Sequence, residues 1–176
     1  MPRATSNKHT EILAASVGLL KASSLTKWSI DSCADRAHCV KGLVIHYFDS
    51  RAGLLAASAR ELGKARAATW RQLLGSGGVA ALDRLWDALV VAATDGSGRA
   101  LLELRFAGVP SAGLPAADTL PVADLLARAL EVPRDDLPVP AAIEPILEGY
   151  LIALIAGAEP EGVREAFFRY WLTFVR

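Results

Sequence analysis

The sequence predicts an all-α fold, with a small three-helix head at the N-terminus and a helical bundle behind it. Apolar residues recur at spacings of three and four along the whole chain, strand-like alternation is missing, and no Asn-Gly or Asp-Gly pair joins two β-rich runs. Of the 176 residues, 52% are hydrophobic and 22% charged, so a core can form without staples or metals. Two cysteines, Cys33 and Cys39, are too few for a disulfide framework.

The first helix is expected over about Lys8 to Ala22, with Asn7 as its N-cap and Leu13, Val17 and Leu20 along one face. A short connection, Ser23 to Trp28, leads to Ser29, the N-cap of a second helix from Ile30 to Ala37 whose positions Ile30, Cys33, Ala34 and Ala37 share a face. After a break at His38-Cys39, a third helix spans Val40 to Tyr47, and Asp49 or Ser50 can cap the helix after it. Two short helices on a tight turn, braced by a longer one, outline a helix-turn-helix.

From Ser50 a long Ala-rich helix runs to about Leu74 and stops at Gly75-Ser76-Gly77-Gly78. Further helices are expected over Val79 to Thr94, with Leu82, Leu85, Trp86, Leu89 and Val90 as the buried stripe, over Arg99 to Ala107, and over Val122 to Glu131. Gly108 to Pro121 and Val132 to Pro140, rich in turn residues, are expected to be irregular. Ile143, Ile146, Leu147, Tyr150, Leu151, Leu154 and Ile155 give the clearest period in the chain, and Pro145 is expected in the first turn of that helix, where alone it is tolerable. Beyond Gly157 to Pro160, Val163, Phe167, Tyr170, Trp171, Phe174 and Val175 repeat the pattern. Both tail helices are apolar on more than one side, because Ile152 and Phe168 lie off the main stripes. They are expected to form a four-helix interface with a second copy through Ile146, Leu147, Tyr150, Leu154, Phe167, Phe168 and Trp171. The alternative is that these helices close the core of their own chain.

The formal charge of zero hides an asymmetry. Residues 1 to 71 hold eleven Lys/Arg against five Asp/Glu, a net of +6, and residues 72 to 176 hold eight against fourteen, a net of −6. A basic head on an acidic body is what a protein that grips a polyanion with one end would carry. Residues Met1 to Lys8 are polar, without the apolar run of a secretory signal, and the greasy stretch Ile146 to Ala158 is interrupted by Glu148, Gly149, Tyr150 and Gly157. That falls short of the about 20 apolar residues a bilayer requires, so a cytoplasmic protein without a membrane partner is expected.

Residues 29 to 55 resemble the signature of the TetR family of transcriptional regulators. The best part is Lys41-Gly42-Leu43-Val44-Ile45-His46-Tyr47-Phe48-Asp49-Ser50-Arg51 with Leu54 and Leu55 behind it. The resemblance implies a helix-turn-helix DNA-binding domain over 1–50 and a helical effector-binding and dimerisation domain over 51–176. It also implies a repressor that binds a palindromic double-stranded operator as a homodimer and leaves it when a small effector enters the body. The chain departs from the family where Gly-Val-Ser usually crosses the turn: His38, Cys39 and Val40 stand there. The first change puts a bulky side chain where φ > 0 is often needed, and the last removes a helix cap. Ile45 replaces a phosphate-contacting tyrosine. These departures keep a second reading open, a TetR-fold dimeric ligand-binding or interaction protein with weakened or lost operator binding.

In the helix-turn-helix reading, Lys41 faces a guanine edge or a phosphate, Leu43 a thymine methyl, and His46 and Tyr47 the groove and backbone, with local packing as their alternative. Gly42 allows close approach. Lys27, Ser29 and Arg51 suit phosphate clamping, and Trp28 suits the core. In the body, Trp86, Leu89, Phe106 and Tyr150 are candidate walls for a mostly apolar effector. No enzyme, metal or cofactor is expected: Cys33, His38, Cys39 and His46 lack zinc-site spacing, and no glycine-rich phosphate loop, Ser/His/Asp set or paired-carboxylate cleft can be read.

Overall fold

A computed structural model of the protein describes residues 3–75, 78–110, 122–138 and 140–174. Among these residues the secondary structure is helical throughout: α1 (Arg3–Ala22), α2 (Ile30–Arg36), α3 (Lys41–Phe48), α4 (Arg51–Leu74), α5 (Val79–Thr94), α6 (Ser97–Phe106), α7 (Val122–Leu130), α8 (Pro140–Ile155) and α9 (Pro160–Leu172), with 3-10 turns at Leu25–Lys27 and Arg134–Asp136. The expected all-α class is what is found. Of the irregular stretch expected over Gly108 to Pro121, residues 111–121 lie outside the described residues, as do Ser76, Gly77 and Val139.

Two expectations at helix starts are corrected. Helix α1 begins at Arg3, so Asn7 lies inside it and caps nothing; the sequence from Arg3 to Asn7 contains no glycine or proline that would hold the first turn back. Helix α8 begins at Pro140, which puts Pro145 at the sixth residue instead of in the first turn. There it deletes one i to i−4 hydrogen bond, to the carbonyl of Ala141, a cost that the buried stripe of α8 must offset.

The chain divides into two compact units, Met1–Lys64 with Asp95–Leu114, and Ala65–Thr94 with Pro115–Arg176, the first division falling within α4. The core of the first unit joins Ile12, Leu20, Trp28, Cys33, Val44, Phe48, Leu54, Leu55 and Leu62 to Ala100, Leu101 and Leu104 of α6. A thread of hydroxyls crosses it. Trp28 Nε1 donates to Ser16 Oγ at 3.1 Å, Ser16 and Ser58 share a 2.7 Å bond, and Ser58 Oγ donates to the Leu54 carbonyl at 2.8 Å. Since Ser58 uses its proton on Leu54, Ser16 is the donor of the middle bond, and each buried hydroxyl both gives and accepts.

Helix α6 is tied to the end of α1 within this unit. Arg99 donates to the carbonyls of Leu20, Lys21 and Ser23, each at 3.0 Å, and satisfies acceptors a helix C-terminus leaves open. Glu103 accepts from the Leu25 amide at 2.6 Å, and Lys21 pairs with Asp95 at 2.6 Å. Burial raises the Asp95 pKa, but hydrogen bonds from Lys21 and Ser97 outweigh it and hold the carboxyl below its usual value. Gly96, at φ 80°, sits so close that a Cβ would lie 2.0 Å from the Lys21 carbonyl oxygen.

In the second unit α5 packs on α7, α8 and α9, and α8 on α7 and α9. Leu82, Leu85, Leu126, Ile143, Leu147, Phe167 and Trp171 are fully buried there. Arg66 pairs with Glu144 at 2.7 Å and with Glu148 at 3.9 Å while its guanidinium lies 5.2 Å from the Trp70 ring centre, and Arg164 reaches Asp83 at 3.0 Å.

Candidate nucleic-acid interface

Helix α2 starts where the sequence signals it: Ser29 is extended and its Oγ accepts from the Ser32 amide at 3.0 Å. At its far end Lys8, ion-paired with Glu11 at 2.6 Å, donates to the Ala37 carbonyl at 3.0 Å. The turn into α3 carries both expected consequences of the missing Gly and Ser. His38 takes φ 50°, a left-handed conformation that side chains rarely adopt, and Val40 occupies the N-cap of α3 with no side-chain hydrogen bond. At the exit Asp49 has φ 62°, Ser50 Oγ accepts from the Gly53 amide at 3.0 Å, and Gly53 passes the Phe48 carbonyl at a separation that would put a Cβ 2.0 Å from the oxygen. Of the two caps offered by the sequence, Ser50 is used.

Helix α3 is anchored by Val44 and Phe48, both buried. His9 of α1 stacks on Phe48 with centroids 4.6 Å apart and meets the edge of Tyr47 at 5.8 Å. The i, i+4 anchoring turns that stripe inward and leaves Gly42, Ile45 and His46 on the other sides of α3 exposed, and Lys41, the first residue of the helix, is exposed at its start. Lys41 lies 3.0 Å from Asp31 of α2 in an open ion pair worth at most about 1 kcal/mol, so the ammonium can be drawn to another anion. Among the described residues Gly42 has nothing within 4 Å of where a Cβ would stand. Leu43 and Tyr47 are half-buried and pack on the head's core. Lys27 is exposed in its 3-10 turn, and the exposed Arg51 guanidinium lies 5.2 Å from the ring centre of the buried Trp28. Of the eight residues expected at DNA, then, Lys27, Lys41, Gly42, His46 and Arg51 are open to a ligand, whereas Ser29, Leu43 and Tyr47 are partly covered.

Sequence reasoning missed the exposure of Val40 and Ile45 and the pairing of Lys41 with Asp31. Ile45 had a signal, since it stands one position past Val44 and off the Val44–Phe48 stripe, whereas Val40, four residues before Val44, shares that stripe's spacing and is exposed at the N-cap, before the helix begins. Cys33 is buried, and burial pushes its thiol up to about 11, so it is protonated and no nucleophile near neutrality. Among the described residues no three His, Cys, Asp or Glu gather as a metal site would require, and no helix is long and apolar enough to cross a membrane.

In the second unit Trp86 and Leu89 are buried, and Tyr150 is half-buried, donating from its hydroxyl to the Ala166 carbonyl at 3.4 Å. Burial raises the Tyr150 pKa and the nearby Tyr170 adds to it. Trp86 and Tyr150 both meet the Phe167 ring, at 5.6 and 5.4 Å. Phe106 belongs to the other unit and is 80% exposed. The expected partner-facing set divides likewise. Leu147, Phe167 and Trp171 are already fully buried in the single chain, so these three close its own core, while Ile146, Tyr150, Leu154 and Phe168 stay half-buried, next to exposed Ile152 and Leu172. The Trp171 Nε1 donor is buried without an acceptor among the described residues.

The fold is similar to that of a TetR transcriptional regulator from Rhodococcus sp. RHA1, with a TM-score of 0.59 at 15% sequence identity, covering 97% of this chain and 99% of that one. No family model and no curated protein matches the sequence.

Proposed function

We propose that the chain is a TetR-type transcriptional regulator that binds a roughly palindromic operator as a homodimer, acts as a repressor, and is released by a small, mostly apolar effector. The observation that carries this reading is the outward face of α3: Lys41, Gly42 and His46 stand exposed on a basic head while Val44 and Phe48 hold the helix to the core. An α-helix fits the major groove, where Lys41 and His46 offer donors to base edges and Lys27 and Arg51 attract phosphates. Two heads related by a two-fold axis would enter grooves about one helical turn apart. The second copy docks on α8 and α9 through Ile146, Tyr150, Ile152, Leu154, Phe168 and Leu172, the apolar side chains this chain leaves partly or fully open. An effector held by Trp86, Leu89 and Tyr150, with the Trp171 indole as a buried donor, would favour one head spacing by its differential affinity for it.

Fluorescence anisotropy at low salt tests the reading. DNA from the chain's own promoter region is expected to bind tighter than random duplex, and equal binding would overturn operator recognition. Light scattering on the eluting protein is expected to give twice the mass of one chain; a single-chain mass removes the dimer. The second reading, a TetR-fold interaction protein without an operator, draws on the strained His38 and the uncapped Val40. Equal and weak binding to every duplex by an intact dimer would favour it.

A further inference from the structure

We infer that α3 and its N-cap residue read the 5-methyl groups of thymine, with Val40 and Ile45 as the reading side chains; this rests on the regulator reading proposed above. Val40 is 73% and Ile45 37% exposed, two of the large apolar side chains that the fold leaves in water, and neither belongs to the core of the head. At 73% exposure Val40 gives the fold little in return for being apolar, and Ile45 keeps 37% of its surface in water. At 40 an apolar residue goes against the fold's interest, because a Ser, Thr, Asp or Asn there would cap α3 and Val40 makes no cap bond. Leu43, which the sequence alone assigns to a thymine methyl, packs half-buried on the core instead.

In the major groove thymine alone presents a methyl group, and the other base edges present donors and acceptors. An apolar side chain set against those edges would leave them unpaired and dry, whereas against a methyl it removes apolar surface from water. Val40 and Ile45 therefore favour thymine over cytosine at the steps they face, while the exposed Lys41 and His46 supply hydrogen bonds at neighbouring steps. Gly42, with open space around its Cα, lets the base edges come close enough for these short side chains to touch them. Charge favours a nucleic acid at this face: Lys27, Lys41 and Arg51 are exposed in the same unit, whose residues 1 to 64 hold nine Lys/Arg against five Asp/Glu, a net of +4.

The test starts from duplexes selected by the full-length chain from a random pool, resynthesised with uracil in place of one thymine at a time. Uracil removes the methyl and keeps the hydrogen-bonding edge. At one or more thymines in each half-site the affinity is expected to fall about fourfold, the factor for losing one buried methylene-sized group. Val40→Ala or Ile45→Ala is expected to weaken binding to the thymine duplex and to erase the uracil penalty at its own step. Val40 is 73% exposed, so the melting temperature of Val40→Ala should match the parent; Ile45 is 37% exposed, so Ile45→Ala is compared at a temperature where circular dichroism shows both proteins fully folded, which keeps a folding defect from imitating the result. Uniform tolerance of uracil, or a penalty unchanged in both variants, overturns methyl readout and leaves the regulator reading standing. If no duplex is enriched, the regulator reading itself fails and this inference falls with it.

Discussion

Replacing Gly42 by Ala separates what α3 does for the fold from what it does for a ligand. Gly42 is the second residue of the helix, its φ is not in the left-handed region, and an added Cβ meets nothing within 4 Å among the described residues. No steric reason internal to the chain calls for glycine, and alanine lowers the entropy lost on folding by about 0.5 to 1 kcal/mol. For a chain of this length that corresponds to a rise in melting temperature of roughly 1 to 4 °C. On DNA the sign reverses. The methyl stands between Lys41 and Leu43 on the face proposed to enter the groove, and forcing it into a closely packed interface costs about 1 to 3 kcal/mol, a loss of affinity of roughly fivefold to a hundredfold. Scanning fluorimetry and anisotropy on one preparation measure both. A variant that is more stable and binds DNA as tightly as the parent would refute the reasoning, since nothing would then explain why a helix-weakening residue stands on that face.

Gly96→Ala should behave in the opposite way, losing about 1 to 3 kcal/mol from its φ of 80° alone and more from the collision with the Lys21 carbonyl; an unchanged denaturant midpoint would contradict the α1–α6 geometry. Trp28→Phe leaves the Ser16 oxygen without its buried donor and opens a cavity where the indole was, so the urea midpoint should fall by the equivalent of at least about 1 to 3 kcal/mol with an unchanged slope. The Asp95 carboxyl has a folded pKa below its unfolded one, so its contribution is complete above the unfolded value, near 4, and is lost as pH falls through the folded value. Asp95→Asn should accordingly be less stable than the parent at pH 7, with the gap closing at acid pH; a gap constant with pH would exclude the Lys21 pair as its cause.

The head was legible because its signals are local. Ser29 announces α2 with a hydroxyl that can reach Ser32, and the missing Gly and Ser of the turn reappear as the strain at His38 and the uncapped Val40. The periodic stripe of α8 and α9 was equally plain, but a stripe says only that residues are buried, not by what. Leu147, Phe167 and Trp171 turn inward, and the open apolar surface passes to Ile152 and Leu172, which lie off the main stripe. Phe106 illustrates the same limit, since apolar character next to a helix end gave no sign of its exposure. The ties of Arg99 and Glu103 to the end of α1 join residues more than 70 positions apart, and no local pattern encodes them. Asn7 and Pro145 were misplaced because a helix continues past a favourable cap whenever the preceding residues allow it.

The claim that α3 enters DNA is tested most directly by selection of duplexes from a random pool with the purified full-length chain. An enriched inverted repeat is expected, its half-sites about one helical turn apart, bound with an affinity that falls steeply as salt rises and that drops further when Lys41 is changed to Ala. A pool that emerges as random as it entered, or a motif bound equally well by the Lys41→Ala variant, would contradict it.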